Sequence, residues 1–318
     1  SHCLGMRVLA LGTVHPLTLQ TTDALGMVLA EQGKRGLAAS IFKRALEGYQ
    51  KAYGPRHPET LGTMSNLANA LRLQGKLEPA VTLYHQAYNG LHTQLGANDR
   101  ETLRAMHGLA AVLAQLRRHE EAVPLYRQAY AGRCELLGTL SPITLRTLGE
   151  LAQSLVALGE LDEGQELLRT CLAGCNETYG PEHDEALQTA ERLAVALVRG
   201  GDHAVAEGHY QHVLGVLAAT LGDKHERTRA VASKLVDNLI SQARLSDAQD
   251  IAKHYRLDWA LRQVRKPPGV ADSALKGLNP LSPGNGRASA TSVPAGKGHA
   301  IESVVKERTR AALAAKAR

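Results

Sequence analysis

Histidine and cysteine are the residues of this sequence whose types and spacing could do chemistry. His203, His209 and His212 fall close together, and the i, i+3 spacing of His209 and His212 could aim two imidazoles at zinc from one helix face. Zinc needs a third ligand and hydrogen-bonded support behind its ligands. A neutral surface cluster is therefore the favoured reading, and no metal is expected. His119-Glu120-Glu121 opens like the HExxH helix of zinc proteases, but Val123 stands where the second His is required. Cys171 and Cys175 share a helix face at i, i+4 and could form a reversible redox pair, though two buried small apolar groups are the favoured reading. The other cysteines, Cys3 and Cys134, complete no CxxC pair. Phosphate-binding GxxxxGK, GxGxxG after a strand and GxSxG are all absent from the sequence. The chain is expected to be no enzyme, to carry no cofactor and to take no small-molecule substrate.

The elements that would position these residues repeat. Gly12, Gly54, Gly96, Gly138, Gly180 and Gly222 fall 42 residues apart. Three residues after each marker come His15, His57, Asp99, Ser141, His183 and His225, and a Leu recurs at Leu25, Leu67, Leu109, Leu151, Leu193 and Leu235. Such self-similarity signals a solenoid or a propeller. Helices are favoured, because Leu67, Leu71, Ala68 and Ala70 form one 3.6-type stripe and Leu77, Ala80, Val81, Tyr84, Ala87, Tyr88 and Leu91 a second, with no period-2 alternation. One Phe, one Trp and abundant Ala and Leu suit close helix packing better than a β-sandwich. Position 57 and its equivalents precede the helix, as in His57-Pro58 and Ser141-Pro142, so the regularly placed histidines read as caps. Gly33, Gly75, Gly159 and Gly201 turn the first helix of a pair into the second, and the Gly markers close the second helix with a left-handed cap.

Within a repeat, Leu67-Ala68, Leu71, Gly75, Ala80, Tyr84 and Ala87 match the tetratricopeptide signature, as do Leu109-Ala110, Leu113, Ala122, Tyr126 and Ala129. The usual unit is about 34 residues, and the longer form here resembles the kinesin light chain class. That likeness rests on Gly54-Pro55-Arg56-His57-Pro58-Glu59-Thr60-Leu61, on Ser65-Asn66-Leu67-Ala68 and on residues 75–88, and it spans roughly residues 12–257. The resemblance implies an all-α, right-handed superhelical solenoid of about six antiparallel helix pairs. Repeats are expected to start near 12, 54, 96, 138, 180 and 222.

The resemblance also implies where a partner binds. First helices line the inside of such a superhelix, and the family's groove positions fall on Gln20, Asp23, Ser65, Asn66, Asn69, Arg72, Arg104, His107, Arg146, Glu150, Gln153, Glu191, Arg192, Lys234 and Asp237. Arg72, Arg104, Arg146, Arg192 and Lys234 place a basic group on successive repeats, suited to an extended peptide with acidic residues. Kinesin light chain repeats carry Asn just before the Leu-Ala pair. Here Asn66 keeps it, while Ala24, Gly108, Glu150, Arg192 and Lys234 replace it. The class is implied, its cargo specificity is not.

Residues 1–11 align on 43–53, the end of a second helix, so a longer protein with repeats upstream is expected. Ala243 replaces the turn glycine and Ala252 the core aromatic of the last repeat, as in a capping repeat. Residues 12–258 are read as the solenoid, 259–298 as a disordered linker and 299–318 as a basic helical tail. Residues 259–318 hold 11 Lys or Arg against 3 Asp or Glu, so the basic charge belongs to the tail while the body is slightly acidic. The tail has no aromatic side chain past Trp259 for base stacking, and a nucleic-acid partner is disfavoured. No apolar stretch approaches the roughly 18 residues of a membrane span. The expected function is a non-catalytic, cytoplasmic scaffold binding a protein or peptide, with a regulatory or sensor arm of a larger protein as the alternative. Oligomeric state is left open.

Overall fold

The computed structural model describes residues 2–265, and every regular element among them is helical. By internal contacts the chain divides into unit 1, Ser1–Thr189, and unit 2, from Ala190 onward. Unit 1 holds α1 (His2–Leu11), α2 (Pro16–Glu31), α3 (Arg35–Tyr53), α4 (Pro58–Leu73), α5 (Leu77–Leu95), α6 (Arg100–Gln115), α7 (His119–Leu137), α8 (Pro142–Leu158) and α9 (Leu161–Tyr179). The division falls inside α10 (Asp184–Gly200). Unit 2 continues with α11 (His203–Leu221), α12 (Glu226–Ser241), α13 (Leu245–His254) and α14 (Asp258–Arg265). The expected all-α solenoid of antiparallel pairs is the observed architecture: α2 packs on α3, α4 on α5, α6 on α7 and α8 on α9, and α3 also packs on α4, α5 on α6 and α7 on α8. No helix of the described residues is long and apolar enough to cross a membrane.

Five of the six first helices start from a side-chain cap. Nδ1 of His15, His57, His183 and His225 accepts the backbone N–H two residues on, at 3.2–3.3 Å, and Asp99 accepts those of Glu101 and Thr102 at 2.8 and 3.4 Å. Ser141 occupies the same place without a side-chain bond, leaving Pro142 to set the first turn. The core is built from the pattern read in the sequence. Ala68, Ala80, Ala87, Ala110, Ala122 and Ala129 are fully enclosed and let the helices approach, with Tyr84 and Tyr126 filling the space beside them. A further recurrence went unread: Gly48, Gly90, Gly132 and Gly174 are 42 apart and receive Leu19, Leu61, Leu103 and Leu145 of the preceding first helix. A Cβ at these glycines would lie 2.3–2.8 Å from the leucine side chain.

Two glycine sets do different work. Gly54, Gly96, Gly138, Gly180 and Gly222 have φ of 83–89° and ψ of 156–173°. This is not the left-handed helical cap expected from the sequence but the extended positive-φ region that glycine alone adopts without strain. The turn inside a pair is left-handed proper, as at Gly159 with φ 91° and ψ 4°. That region admits other residues at a cost, and Arg117 and Ala243 occupy it at φ 64° and 57°.

The end of unit 2 departs from the repeat. α13 stops after ten residues instead of the nineteen of α11, and Arg229 of α12 holds its end by donating to the carbonyls of Tyr255 and Arg256 at 3.2 and 3.0 Å. α14 then packs on α13 and α12, burying Leu257 and Ala260. Residues 259–265, assigned to the linker from sequence, are thus helical, because Leu257 and Ala260 close over the core that the short α13 leaves. The linker beyond residue 265 and the basic helical tail at 299–318 lie outside the described residues.

Candidate functional site

In unit 1 the predicted groove residues lie on α2, α4, α6 and α8, first helices that touch one another in succession. Their side chains form three local groups. Asn66 bridges α2 and α6, donating through Nδ2 to Asp23 Oδ2 at 3.0 Å and accepting from Arg104 Nη1 at 2.5 Å. Arg104 is also neutralised within its own helix by Glu101, at 2.6 Å. Burial, ahead of the lowering influence of Arg104, pushes the Asp23 carboxyl up to about 6. Ser65 does not face the groove, since it is buried and donates to its own helix at Leu61 O, 3.2 Å away.

The second group joins α4 and α5. Arg72 Nη2 donates to Asn69 Oδ1 at 3.0 Å, and its buried Nε–H has no acceptor. The Tyr84 ring fills the place that a side chain at Gly108 would take, where a Cβ would come within 2.3 Å of it.

The third group centres on Glu150 of α8. Tyr126 donates its hydroxyl to Glu150 Oε2 at 2.9 Å, and His107 Nε2 lies 3.4 Å from the same oxygen. The His107 ring meets that of Tyr126 edge-on at 5.6 Å. Burial first, then Arg133, Arg146 and Arg72, hold His107 well below the usual histidine range, so the imidazole is neutral. Arg146 is exposed and makes no hydrogen bond or ion pair with any described residue. Gln153, two turns further along α8, is exposed as well.

Unit 2 carries Arg192 on α10 and Lys234 on α12, both at the register position of Asn66. Lys234 is ion-paired with Glu191. The basic residues therefore do not form one line. Arg104 and Arg146 share one register position, Arg192 and Lys234 share another, and Arg72 stands one and a half turns beyond Asn66. A full charge remains available at Arg146, while Arg104 and Lys234 are answered by carboxylates of their own unit.

Of the histidines considered for zinc, His203 has a partner on α12. His203 Nδ1 pairs with Asn238 Oδ1 at 2.8 Å, and among the described residues no three His, Cys, Asp or Glu side chains gather as a metal set. Cys171 and Cys175 are buried beside Leu145 and Leu148, and the Cys171 thiol donates to Leu145 O at 3.3 Å.

Sequence reasoning missed Arg133. It stands where other repeats have Tyr49, Leu91 and Cys175, is only 5% exposed, and donates to Thr147 Oγ1 at 2.5 Å and Ile143 O at 3.4 Å. Arg7 reaches Thr21 and Leu17 O in the same way three repeats earlier. The readable signal was an Arg at an apolar register position.

Family models described as tetratricopeptide repeat match residues 17–91 and 143–219, and residues 102–142. Among solved structures, two of a Podosopora anserina chain described as a kinesin light chain with nearly identical TPR-like repeats are 26% identical. They cover 65% of this chain and 98% of that one, with TM-scores of 0.58 and 0.57. BtubC (BKLC) from P. vanneervenii is 21% identical over 65% of this chain and 82% of its own, at TM-score 0.57. A Rap protein complexed with Competence and Sporulation Factor is 17% identical, covering 76% and 72%, at TM-score 0.51. No curated protein matches the sequence significantly.

Proposed function

We propose that this chain, which belongs to the tetratricopeptide repeat family in its kinesin light chain-like form, holds an acidic segment of a partner protein against the first helices of unit 1. Proteins of this fold act generally as protein-interaction scaffolds without catalysis. A Rap protein of the same fold is known complexed with Competence and Sporulation Factor, a precedent for partner binding on this fold. The observation that carries the reading is Arg146, an exposed guanidinium that no carboxylate answers, on a face shared with Asn69, Arg72 and Gln153. Guanidinium and carboxylate meet bidentately, and that geometry favours a peptide side chain over a diffuse charge. A cytoplasmic setting belongs to the same reading.

The test is an array of random-sequence peptides probed with the full chain and with an Arg72→Glu/Arg146→Glu variant. Enrichment of Asp- and Glu-bearing peptides by the first and its loss in the second is the expected result. Enrichment that survives the double substitution would move the site to another face.

A further inference from the structure

Among the nineteen-residue second helices of unit 1, α3 is the basic one. It carries Arg35, Lys43, Arg44 and Lys51 against Glu47, whereas α5, α7 and α9 are each net negative. Lys34 and Arg56 stand just outside its two ends, so residues 32–56 hold six Lys or Arg against one acidic residue. The rest of residues 1–258 holds 20 Lys or Arg against 27 Asp or Glu. The six basic side chains are exposed and largely unanswered. Arg35 gives one N–H to Leu73 O at 2.8 Å. The charged ends of Lys34, Lys43, Arg44, Lys51 and Arg56 meet no carboxylate or other acceptor among the described residues. The register shows the contrast. Arg127 and Arg169 occupy the place of Lys43 on α7 and α9, and Glu163 and Glu166 answer them at 2.7 and 3.3 Å. On α5 the counterparts of Lys43, Arg44, Glu47 and Lys51 are His85, Gln86, Asn89 and Thr93, so these positions of the next second helix supply no carboxylate.

The basic face also carries apolar surface. α3 packs on α2 and α4, burying Ala38, Phe42, Ala45, Leu46 and Tyr49. On its solvent side Leu37, Arg44 and Lys51 follow at i, i+7 and i+14, with Lys43 flanking them, along about 21 Å of helix. Leu37 is 58% exposed. Leu9 stands on α1 at the register of Lys51 and is 85% exposed, at a position that Thr93, Glu135 and Glu177 expose as well. We propose that this face of α3 docks on an anionic lipid bilayer, with Lys43, Arg44 and Lys51 over the headgroups and Leu37 entering the interface beside them. Charge complementarity selects an anionic partner, and each Lys or Arg near such a surface adds to the attraction. The charges are flexible side chains on an open helix face, without a fork or a pocket that would fix one peptide carboxylate. A fluid bilayer needs no such fixed geometry, because its headgroups gather under the charges. The exposed leucine decides against nucleic acid, since a phosphodiester backbone offers it nothing while a bilayer interface takes up apolar side chains. Such docking is peripheral and independent of the first-helix face assigned to an acidic segment.

The experiment is sedimentation of the full chain with vesicles of phosphatidylcholine, with or without phosphatidylserine at about one lipid in three. Residues 266–318 are basic and present in every sample, so the comparison runs between variants of equal charge. Lys43→Gln/Arg44→Gln/Lys51→Gln is expected to lower partitioning onto the anionic vesicles about a hundredfold. Arg118→Gln/Arg127→Gln/Arg169→Gln removes the same charge from ion pairs on α7 and α9, and is expected to stay within about threefold of the parent. Leu37→Gln is expected to weaken partitioning about fivefold. All the substituted side chains are at least partly exposed, and circular dichroism of each variant checks that the helices are kept. Equal losses in the two triple variants would reduce the effect to net charge and overturn the proposal. Partitioning indifferent to the α3 triple substitution would overturn the site. Binding unchanged in Leu37→Gln, or displacement from vesicles by polyglutamate or a DNA duplex at a lower concentration of anionic groups than the lipid presents, would overturn the lipid assignment.

Discussion

Gly62 and Gly90 both lie inside helices of the second repeat, and adding one methyl group to each is expected to move stability in opposite directions. At Gly62 on α4 the new Cβ meets nothing nearer than the Arg104 and Glu101 side-chain tips, at 3.8 Å, an ordinary contact. Gly62→Ala therefore gains helix propensity alone, about 1 kcal/mol. At Gly90 on α5 the same gain is opposed by Leu61, whose Cδ1, Cδ2 and Cγ would lie 2.6, 2.9 and 3.3 Å from the new carbon. Leu61 is only 3% exposed and packs against Leu91 and Met64, so its isopropyl group has little room to withdraw. Overpacking of this kind costs about 1–3 kcal/mol, which leaves Gly90→Ala about 1 kcal/mol less stable than the parent. The two variants should then differ by about 2 kcal/mol, a factor of about 30 in the folding equilibrium. Urea unfolding followed by far-ultraviolet circular dichroism measures this as opposite shifts of the midpoint at a shared slope. Stabilisation by both alanines would refute the reasoning, because it would mean that Leu61 does not need the hollow that Gly90 provides.

Two further outcomes follow from the backbone and from one carboxyl. Ala243 and Arg117 hold left-handed backbone that other repeats give to glycine, so Ala243→Gly should stabilise unit 2, and Arg117→Gly unit 1, by about 1 kcal/mol each, read by the same unfolding assay. No gain at either position would show that the turn is not strained. Asp23 has its carboxyl raised to about 6 in the folded chain against an ordinary value of 3.8, so folding favours its protonated form. Its contribution is fully present below the unfolded value and is lost as pH rises through about 6. The parent should therefore gain about 1–3 kcal/mol over Asp23→Asn as pH falls from about 7 to about 4, and a difference independent of pH would contradict the burial of that carboxyl.

The repeat was legible because its signals are local. A capping side chain, a turn glycine and a 3.6-residue stripe each depend on a few neighbours, and six copies reinforce them. His57 and Asp99 cap as their positions implied, and Cys171 and Cys175 are buried as small apolar residues. What escaped depends on pairs far apart in the chain. The hollows at Gly48, Gly90, Gly132 and Gly174 recur in the sequence as plainly as the markers, but a missing side chain has meaning only when the opposing leucine is in place. Asn66 was read as a groove residue, yet Asp23, 43 residues before it, and Arg104, 38 residues after it, consume both ends of its amide. Arg104 and Lys234 looked alike as open cations until Glu101 and Glu191 were found beside them. α14 went unread because eight residues with Ala260 as their buried apolar anchor carry too little periodicity to separate from a linker.

The glycine that joins one pair to the next has a consequence for how such a chain can change over generations. From Gly54 to Gly222 the linkage passes through the same narrow corner of backbone space, φ 83–89° with ψ 156–173°. A block of 42 residues cut between two such couplings presents the same connector at both ends. Duplication or loss of a whole block rejoins the chain through a geometry it already uses, and each leucine keeps its hollow inside the block that moves. Copy number is thereby separated from surface chemistry. The chain can gain or shed repeats without inventing a junction, while single exposed positions such as Arg146 and its counterpart Gln20 diversify one repeat at a time.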